Sequence, residues 1–379
     1  MSKQPLILSA RPYDVHAAAA MWGLRQSGLA PSWPSSLVDG SVPPVSLYCD
    51  DSDGEGSGGG AGWKASGWLD DGAIGSIWFR RAHTPDVFPR AIDADVPFLR
   101  TEWARFLRNV YALGDAFSDR LWVNRPASAN RAENKLAQLE AARRCRLRFP
   151  ATLVSHDPDQ IRRFVARHGR VVYKPFVPHT WEDGATGKRF GTFARLVEPT
   201  MLADDESLSL CPGIYQVYVE KKYDLRIVAI GDRFFTVRLA SRSGAAFVDW
   251  RAYTFAPELH VEVCALPDRY RGKLESLLRE LGLVFGCIDV AVDVDGDAHF
   301  LEVNQAGQFL FLEELAPPLP LLRAMCAMLA CGRTDYSLEA AADVSYPTYA
   351  ASEAHRAWWE GVRGQLEADN RSGAWLSIE

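Results

Sequence analysis

The sequence predicts an α+β fold, and three observations carry that prediction. The chain opens strand–helix–strand, with PLILSA at 5–10, HAAAAMWGLRQSG at 16–28 and VSLYCD at 45–50, the order of a small α/β unit. Further on, two runs rich in β-branched and aromatic residues each fold back at a glycine–aspartate dipeptide, Gly231-Asp232 and Asp295-Gly296, a strong short-range hairpin signal. Around them lie helical patterns at 157–169, 271–283, 312–330 and 351–370, so helices and antiparallel strands share the chain.

Bulk properties set the frame. A chain of 379 residues has room for two or three domains with their own cores. The formal net charge of −6 excludes a general basic footprint for nucleic acid. Seven scattered cysteines without a C-x-x-C pair argue against a disulfide framework or structural zinc, and fit a reducing cytosol. The start has no signal-peptide layout, and no apolar run approaches the ~20 residues of a membrane helix. A cytoplasmic protein without membrane or nucleic-acid partners is expected.

In chain order, IGSIWFRR at 74–81 adds a strand, and a helical region centred on 98–114 completes an expected N-terminal α/β domain over 1–125. The Gly/Ser/Asp run at 50–62 lacks the Gly-Lys-Ser/Thr ending of a phosphate loop, so a mobile connection without chemistry is expected. Residues 121–150 read as strand, turn and helix, with Asn134-Lys135 at the helix start. After a strand at 151–156 and a helix at 157–169, RVVYKPF at 170–176 is a buried strand. Its Lys174 needs a carboxylate or a bound phosphate nearby, because an unpaired buried ammonium is costly. The polar segment 178–193 contains Gly184-Ala-Thr-Gly187-Lys188, which imitates a phosphate loop but continues with Arg189. An ordinary surface turn and a glycine-rich lid stay equally open there. Residues 213–240 are expected as one hairpin, with Asp224 and Arg226 on a common strand face.

The stretch 286–308 is the most informative. A two-residue turn at Asp295-Gly296 places Asp289 opposite Glu302, with Asn304 on the same face as Glu302. Opposed side chains have Cβ atoms about 5 Å apart, and like charges so close destabilise a sheet. A hard cation such as Mg²⁺, which takes carboxylate and phosphate oxygens, removes the penalty. The bland alternative is a solvated acidic face, the reading given to Asp293 and Asp297. The opposite face, with Ile288, Val290, Val292, Leu301 and Val303, is expected to pack on a core.

Taken in order, Lys174, the glycine loop, the segment from Gln216 to Arg226, and Asp289 with Glu302-Val-Asn304 resemble an ATP-grasp ligase. That family's two α+β lobes hold ATP between antiparallel sheets. LWVNRP…AENKLAQL, VVYKPF, QVYVEKKYDLR and EVNQAGQF narrow the resemblance to the branch of ribosomal-protein glutamate ligases and graspetide (microviridin-type) peptide cyclases. IGSIWFRR and Asp249-Trp250-Arg251 look more like the graspetide side. The resemblance implies a pre-ATP-grasp domain at 1–125, a central lobe at 126–212, a C-terminal lobe with the Mg²⁺ site at 213–332 and a helical tail at 333–379.

It also implies roles. Lys135 and Lys174 match the lysines on the α- and β-phosphates. Gln216, Val217, Tyr218 and Val219 match the hinge whose backbone reads adenine, and Val217 stands where an acid is frequent. Asp224 matches the ribose-binding acid, Arg226 and Arg238 the arginines near the transferred phosphoryl, and Asp289, Glu302 and Asn304 the Mg²⁺ ligands. Gln305 replaces the usual proline after the asparagine. Arg251, with Arg242 as a second candidate, is open between an acceptor-carboxylate clamp and a surface arginine. The implied activity is ATP-dependent carboxylate–amine or carboxylate–hydroxyl ligation through an acyl phosphate, on side chains of a ribosomally made precursor peptide carrying a leader, by an enzyme that resembles dimeric ones. Two alternatives stand beside it: a ligase that extends a protein terminus or joins small molecules, and a non-catalytic peptide-binding homologue. His16, His179 and His299 read as surface or turn residues, and Trp358-Trp359 as packing or a dimer contact.

Overall fold

The computed structural model describes every residue except 1–2, 10, 35–43, 50–62, 70, 82–87, 89–90, 115–119, 177–179, 183–185, 192–193, 245–246, 255 and 373–379. The Gly/Ser/Asp run at 50–62, His179 and Gly184 lie outside the described residues.

Near the N-terminus, Gln4–Ser9, Ile74–Arg81 and Leu121–Val123 form a parallel sheet with Ile74–Arg81 in the middle. Parallel neighbours require a crossover, and helix Val15–Gln26 supplies part of it. That helix starts at Asp14, whose carboxylate accepts hydrogen bonds from the His16 and Ala17 N–H groups. The expected second strand, VSLYCD, does not join this sheet. Ser46–Cys49 is mostly exposed and pairs with Trp63–Ser66 in a separate hairpin; the fully buried run Ile77–Trp78 marks the true partner.

The central lobe carries a four-stranded antiparallel sheet in the order Arg195–Leu196, Val171–Lys174, Gly213–Val217, Thr152–Ser155. Helix Pro158–His168 covers it through fully buried Ile161. The C-terminal lobe carries five antiparallel strands in the order Leu259–Val263, Arg233–Ser241, Lys221–Ile230, Phe285–Asp293, Ala298–Asn304. One face of this sheet, with Leu225, Ile227, Ile288, Val290 and Val303, packs on helices Lys135–Arg144 and Asp268–Leu281. The other, with Val228, Ile230, Val237, Phe285 and Cys287, joins helices Val15–Gln26 and Leu321–Cys331 in the largest core.

Two expectations about the strands need correction. Residues 213–240 are not one hairpin: the chain leaves the central sheet at Val217 and enters the five-stranded sheet at Lys221. The Val217 N–H donates to Ala151 O at 2.9 Å and the Tyr218 N–H to Arg170 O at 2.9 Å, which finishes the first ladder before the crossing. The Asp295-Gly296 turn is also longer than two residues. Asp293 N donates to Asp297 O and Gly296 N to Asp293 O, with Gly296 at φ +86°, a type I turn followed by a left-handed residue. Asp293 builds this turn, its Oδ1 accepting from Asp295 N and Asp297 N, rather than lying solvated. Near the turn Val290 pairs with Phe300; a bulge then brings Asp289 opposite Glu302. The expected opposition is therefore present, reached through an extra residue at Leu301. In consequence Phe300, not Leu301, enters the core.

The closing helical region breaks into Phe311–Leu315 and Leu321–Cys331 around Pro317, Pro318 and Pro320. In the tail helix Glu353–Ser372, Trp358 Nε1 donates to Pro12 O at 2.9 Å, the packing contact expected of that indole. No helix among the described residues is long and apolar enough to cross a membrane.

Candidate active site

Strand alternation puts Asp224, Arg226, Asp289, Glu302 and Asn304 on one face of the five-stranded sheet. Arg226 lies directly beside Asp289, and its Nη1 donates to both carboxylate oxygens at 3.1 and 3.0 Å, both residues being buried. Arg226 Nη2 donates to Gln308 O at 2.8 Å, and the guanidinium lies 5.7 Å from the Trp250 ring centroid. Burial pushes the Asp289 carboxyl up, with Arg226 opposing.

Glu302 draws in cations from two further elements. Lys135, the first residue of its helix, donates from Nζ to Oε2 at 2.5 Å. Asn134 caps that helix, accepting from Leu136 N and Ala137 N, and so fixes where Lys135 emerges. Arg251, in the short turn Trp250–Tyr253, donates from Nη1 to Glu302 Oε1 at 3.0 Å and from Nε to Asp249 Oδ1 at 2.9 Å. Burial would raise the Glu302 pKa, but Lys135, Arg251 and Lys174 together hold it far below the usual carboxylate range.

From the central lobe, Lys174 Nζ donates to Gln216 Oε1 at 2.6 Å, and Gln216 Nε2 donates to Thr152 Oγ1 at 3.0 Å. Burial pushes the Lys174 ammonium down to about 8, while Glu302, on the C-terminal sheet, works in the opposite direction. The two lobes thus meet electrically around Glu302.

Other expected site residues stand differently. Arg238 pairs with Leu225, so it lies on the opposite face from Arg226 and Asp289. Its guanidinium sits 4.4 Å from the Tyr223 ring centroid and 3.8 Å from Glu262, which removes it from the phosphoryl site. Asp224 is buried, both its oxygens accepting from buried Lys221 at 2.8 and 2.7 Å. Its carboxyl is pushed up to about 6, burial outweighing Lys221, so here it is an internal partner rather than an open ribose acceptor. At the hinge, the Val217 and Tyr218 N–H groups already donate to Ala151 O and Arg170 O, both at 2.9 Å. Arg242 donates to Pro257 O at 2.9 Å. Asn304 Oδ1 accepts from Ala306 N at 3.3 Å.

His16 is a correction of another kind. It is buried, and its Nε2 accepts from Phe309 N at 3.0 Å and Leu310 N at 3.3 Å, anchoring the segment after Asn304. Asn124, Gln138 and Arg80 are further buried polar groups aimed at this hairpin. Nothing local in the sequence marks them, because their partners in and around the hairpin lie at least 160 residues away.

The donor set fits a hard divalent cation: two carboxylates and an amide oxygen on one strand face. Among the described residues no group of three or more His, Cys, Asp or Glu converges, so such an ion would keep waters or take phosphate oxygens for its remaining positions. The side chains of Lys135 and Arg251 are 29% and 44% exposed.

No protein-family model matches the chain, and no curated protein matches it. The fold is that of the ATP-grasp ligases. A ligase of this kind associated with ribosomally made peptides, from Chryseobacterium gregarium and solved with ADP and a leader and core peptide, has a TM-score of 0.71 at 21% identity over 88% of this chain and 99% of that one. The macrocyclase MdnC of Microcystis aeruginosa MRC, bound with precursor peptide MdnA, has a TM-score of 0.67 at 22% identity over 86% of this chain and 99% of that one. MdnB from the same source has a TM-score of 0.61 at 25% identity over 86% and 99%.

Proposed function

We propose that this chain is an ATP-dependent ligase that joins side-chain carboxylates to amines or hydroxyls within a ribosomally made precursor peptide. The observation that carries the reading is the opposition of Asp289 and Glu302 on a face ringed by Arg226, Lys135, Arg251 and Lys174. So many cations around two carboxylates suit a polyanion and a hard metal held together. The likeness to a ligase solved with ADP and a leader and core peptide, and to one solved with minimal precursor, Mg and ADP, adds support.

In this reading Lys174 and Lys135 hold the nucleotide phosphates as point charges, and Arg226 faces the transferred phosphoryl. Asp289, Glu302 and Asn304 would hold Mg²⁺, which when bound neutralises phosphate charge. The substrate carboxylate takes the γ-phosphoryl and ADP leaves. The amine or hydroxyl then attacks the acyl carbon, phosphate departs, and a proton passes to solvent. The net change in the peptide is loss of one water per bond. In this reading Arg251, bonded here to Glu302 and Asp249, would turn to hold the acceptor carboxylate beside the phosphoryl donor. The boundary expected at 212/213 moves, because Gly213–Val217 pairs within the central sheet: the central lobe runs to Val217 and the C-terminal lobe begins at Lys221, with 1–125 as an N-terminal domain and 333–379 as the tail.

Measurement of ADP release with candidate peptides and with small carboxylate–amine pairs tests this. Peptide-stimulated ADP release with loss of water from the peptide is expected. Stimulation by small molecules alone indicates a small-molecule ligase, and no ADP under any condition indicates a binding protein.

A further inference from the structure

Glu302 and Asn304 sit on the outermost strand of their sheet: Ala298–Asn304 has a neighbour, Phe285–Asp293, on one side only. A metal-ligand pair on an edge strand is poorly held, and its outward N–H and C=O groups need partners. Resting on the nucleotide–magnesium reading above, we propose that two side-chain amides are positioning residues for this pair: Gln138, which stands in for the missing strand beside Val303, and Asn124, which ties the hairpin's open end.

Gln138 acts between the ligands. Its Oε1 accepts from Val303 N at 2.9 Å, and its Nε2 donates to Val303 O at 2.8 Å and to Ala132 O at 2.6 Å. Val303 is flanked directly by Glu302 and Asn304, so the pair of bonds fixes the peptide planes on both sides. Because Gln138 lies one turn after Lys135, the same helix sets both the strand edge and the cation on Glu302.

Asn124 acts at the open end of the hairpin. Its Oδ1 accepts from Val284 N at 2.8 Å and Phe285 N at 2.9 Å, while its Nδ2 donates to Phe285 O at 2.9 Å and Gln305 O at 3.0 Å. All four positions of the amide are thus filled by the two chain segments that lead to Asp289 and away from Asn304. Both residues are about 1% exposed. The clamp continues outward, with Arg80 Nη1 donating to Ala306 O at 3.3 Å and Gln305 Nε2 to Glu133 Oε1 at 2.9 Å. Arg226 offsets the charge of Asp289, and Lys135 and Arg251 that of Glu302, so these bonds hold the edge strand in register whether or not a metal ion is present.

Calorimetric binding of ADP to the full chain, with Mg²⁺ and then with a chelator, tests the role. Gln138→Met keeps volume and loses the amide; Asn124→Asp keeps shape and loses both donors. In folded variants, ADP affinity with Mg²⁺ should fall about ten-fold, while affinity under chelator should change far less, a split that general loosening of the fold does not produce. Equal affinity with Mg²⁺ in folded variants overturns the positioning role. Hydrogen exchange on the wild-type chain needs no variant: a slowly exchanging Val303 amide is expected, and fast exchange overturns the proposal. A wild-type chain that binds no ADP overturns the nucleotide reading itself.

Discussion

Glu302 is the residue on which the candidate site turns, because Lys135 and Arg251 both bond to it and Lys174 acts on it from the central lobe. Replacing it with alanine removes a proposed Mg²⁺ ligand and the charge that balances three cations. Turnover of Glu302→Ala, read as peptide-dependent ADP release, should fall at least about 100-fold, with an unchanged circular dichroism spectrum; retained activity removes the metal assignment. Lys174 gives a pH-dependent prediction. Its ammonium is pushed down to about 8 from 10.5 by burial, so the folded chain sheds this proton while the unfolded chain would still hold it. The burial penalty is full below pH 8 and is relieved as pH rises from 8 to 10.5. Nucleotide phosphates favour the charged form. ADP binding at pH 8.5 should therefore take up a proton, seen as a dependence of binding heat on buffer ionisation enthalpy, and affinity should weaken as pH rises above 8. Lys174→Met should abolish the uptake.

The two hairpins of the C-terminal lobe show what an element's sequence can disclose. Both turns carry a glycine at positive φ, Gly231 at +55° and Gly296 at +86°, but their surroundings differ. A Cβ on Gly296 meets nothing within 4 Å, whereas one on Gly231 would lie 2.3 Å from Thr334 O. Gly296→Ala should cost about 1 kcal/mol through backbone strain alone. Gly231→Ala should cost at least about twice that in urea unfolding, since a backbone atom must also move. The face of Asp289, Glu302 and Asn304 was legible because alternation is local, and Arg238 was legible by the same rule: a two-residue turn at Gly231-Asp232 pairs it with Leu225, away from Arg226. Family resemblance led the assignment there, and strand geometry corrects it. The bulge at Leu301 was not legible, because two opposite irregularities, a longer turn and an extra residue, cancel at Asp289–Glu302. The break at Val217 was passed over although Glu220-Lys221-Lys222 interrupts the β-forming run there; the carbonyls of Ala151 and Arg170 end the ladder. Asn124, Gln138 and His16 escape notice because buried polar partners distant in sequence leave no periodic trace.

At the scale of the whole molecule, the N-terminal segment is part of the core around which the candidate site is built. Ile7, Ala17, Ala20 and Leu24 share one buried cluster with Phe285, Phe309, Leu321 and Met325. Ser76 Oγ donates to Leu329 O at 2.7 Å, and Asn124, Arg80 and His16 all bond to the backbone around the Asp289–Glu302 hairpin. A chain beginning at residue 126 therefore loses an apolar layer under the five-stranded sheet and the clamp at the hairpin's open end together. Buried apolar side chains are worth ~1.5–3 kcal/mol each, and a domain's net stability is only about 5–15 kcal/mol, so the loss of this layer exceeds what the remainder can bear. The fragment 126–379 should give no cooperative urea transition, should bind a hydrophobic dye as a loosely packed state does, and should not bind ADP with Mg²⁺. Adding the separate 1–125 fragment should restore part of the transition if the shared core is the cause. A fragment that unfolds cooperatively alone and binds Mg²⁺–ADP with the affinity of the full chain would reduce the first 125 residues to an appendage.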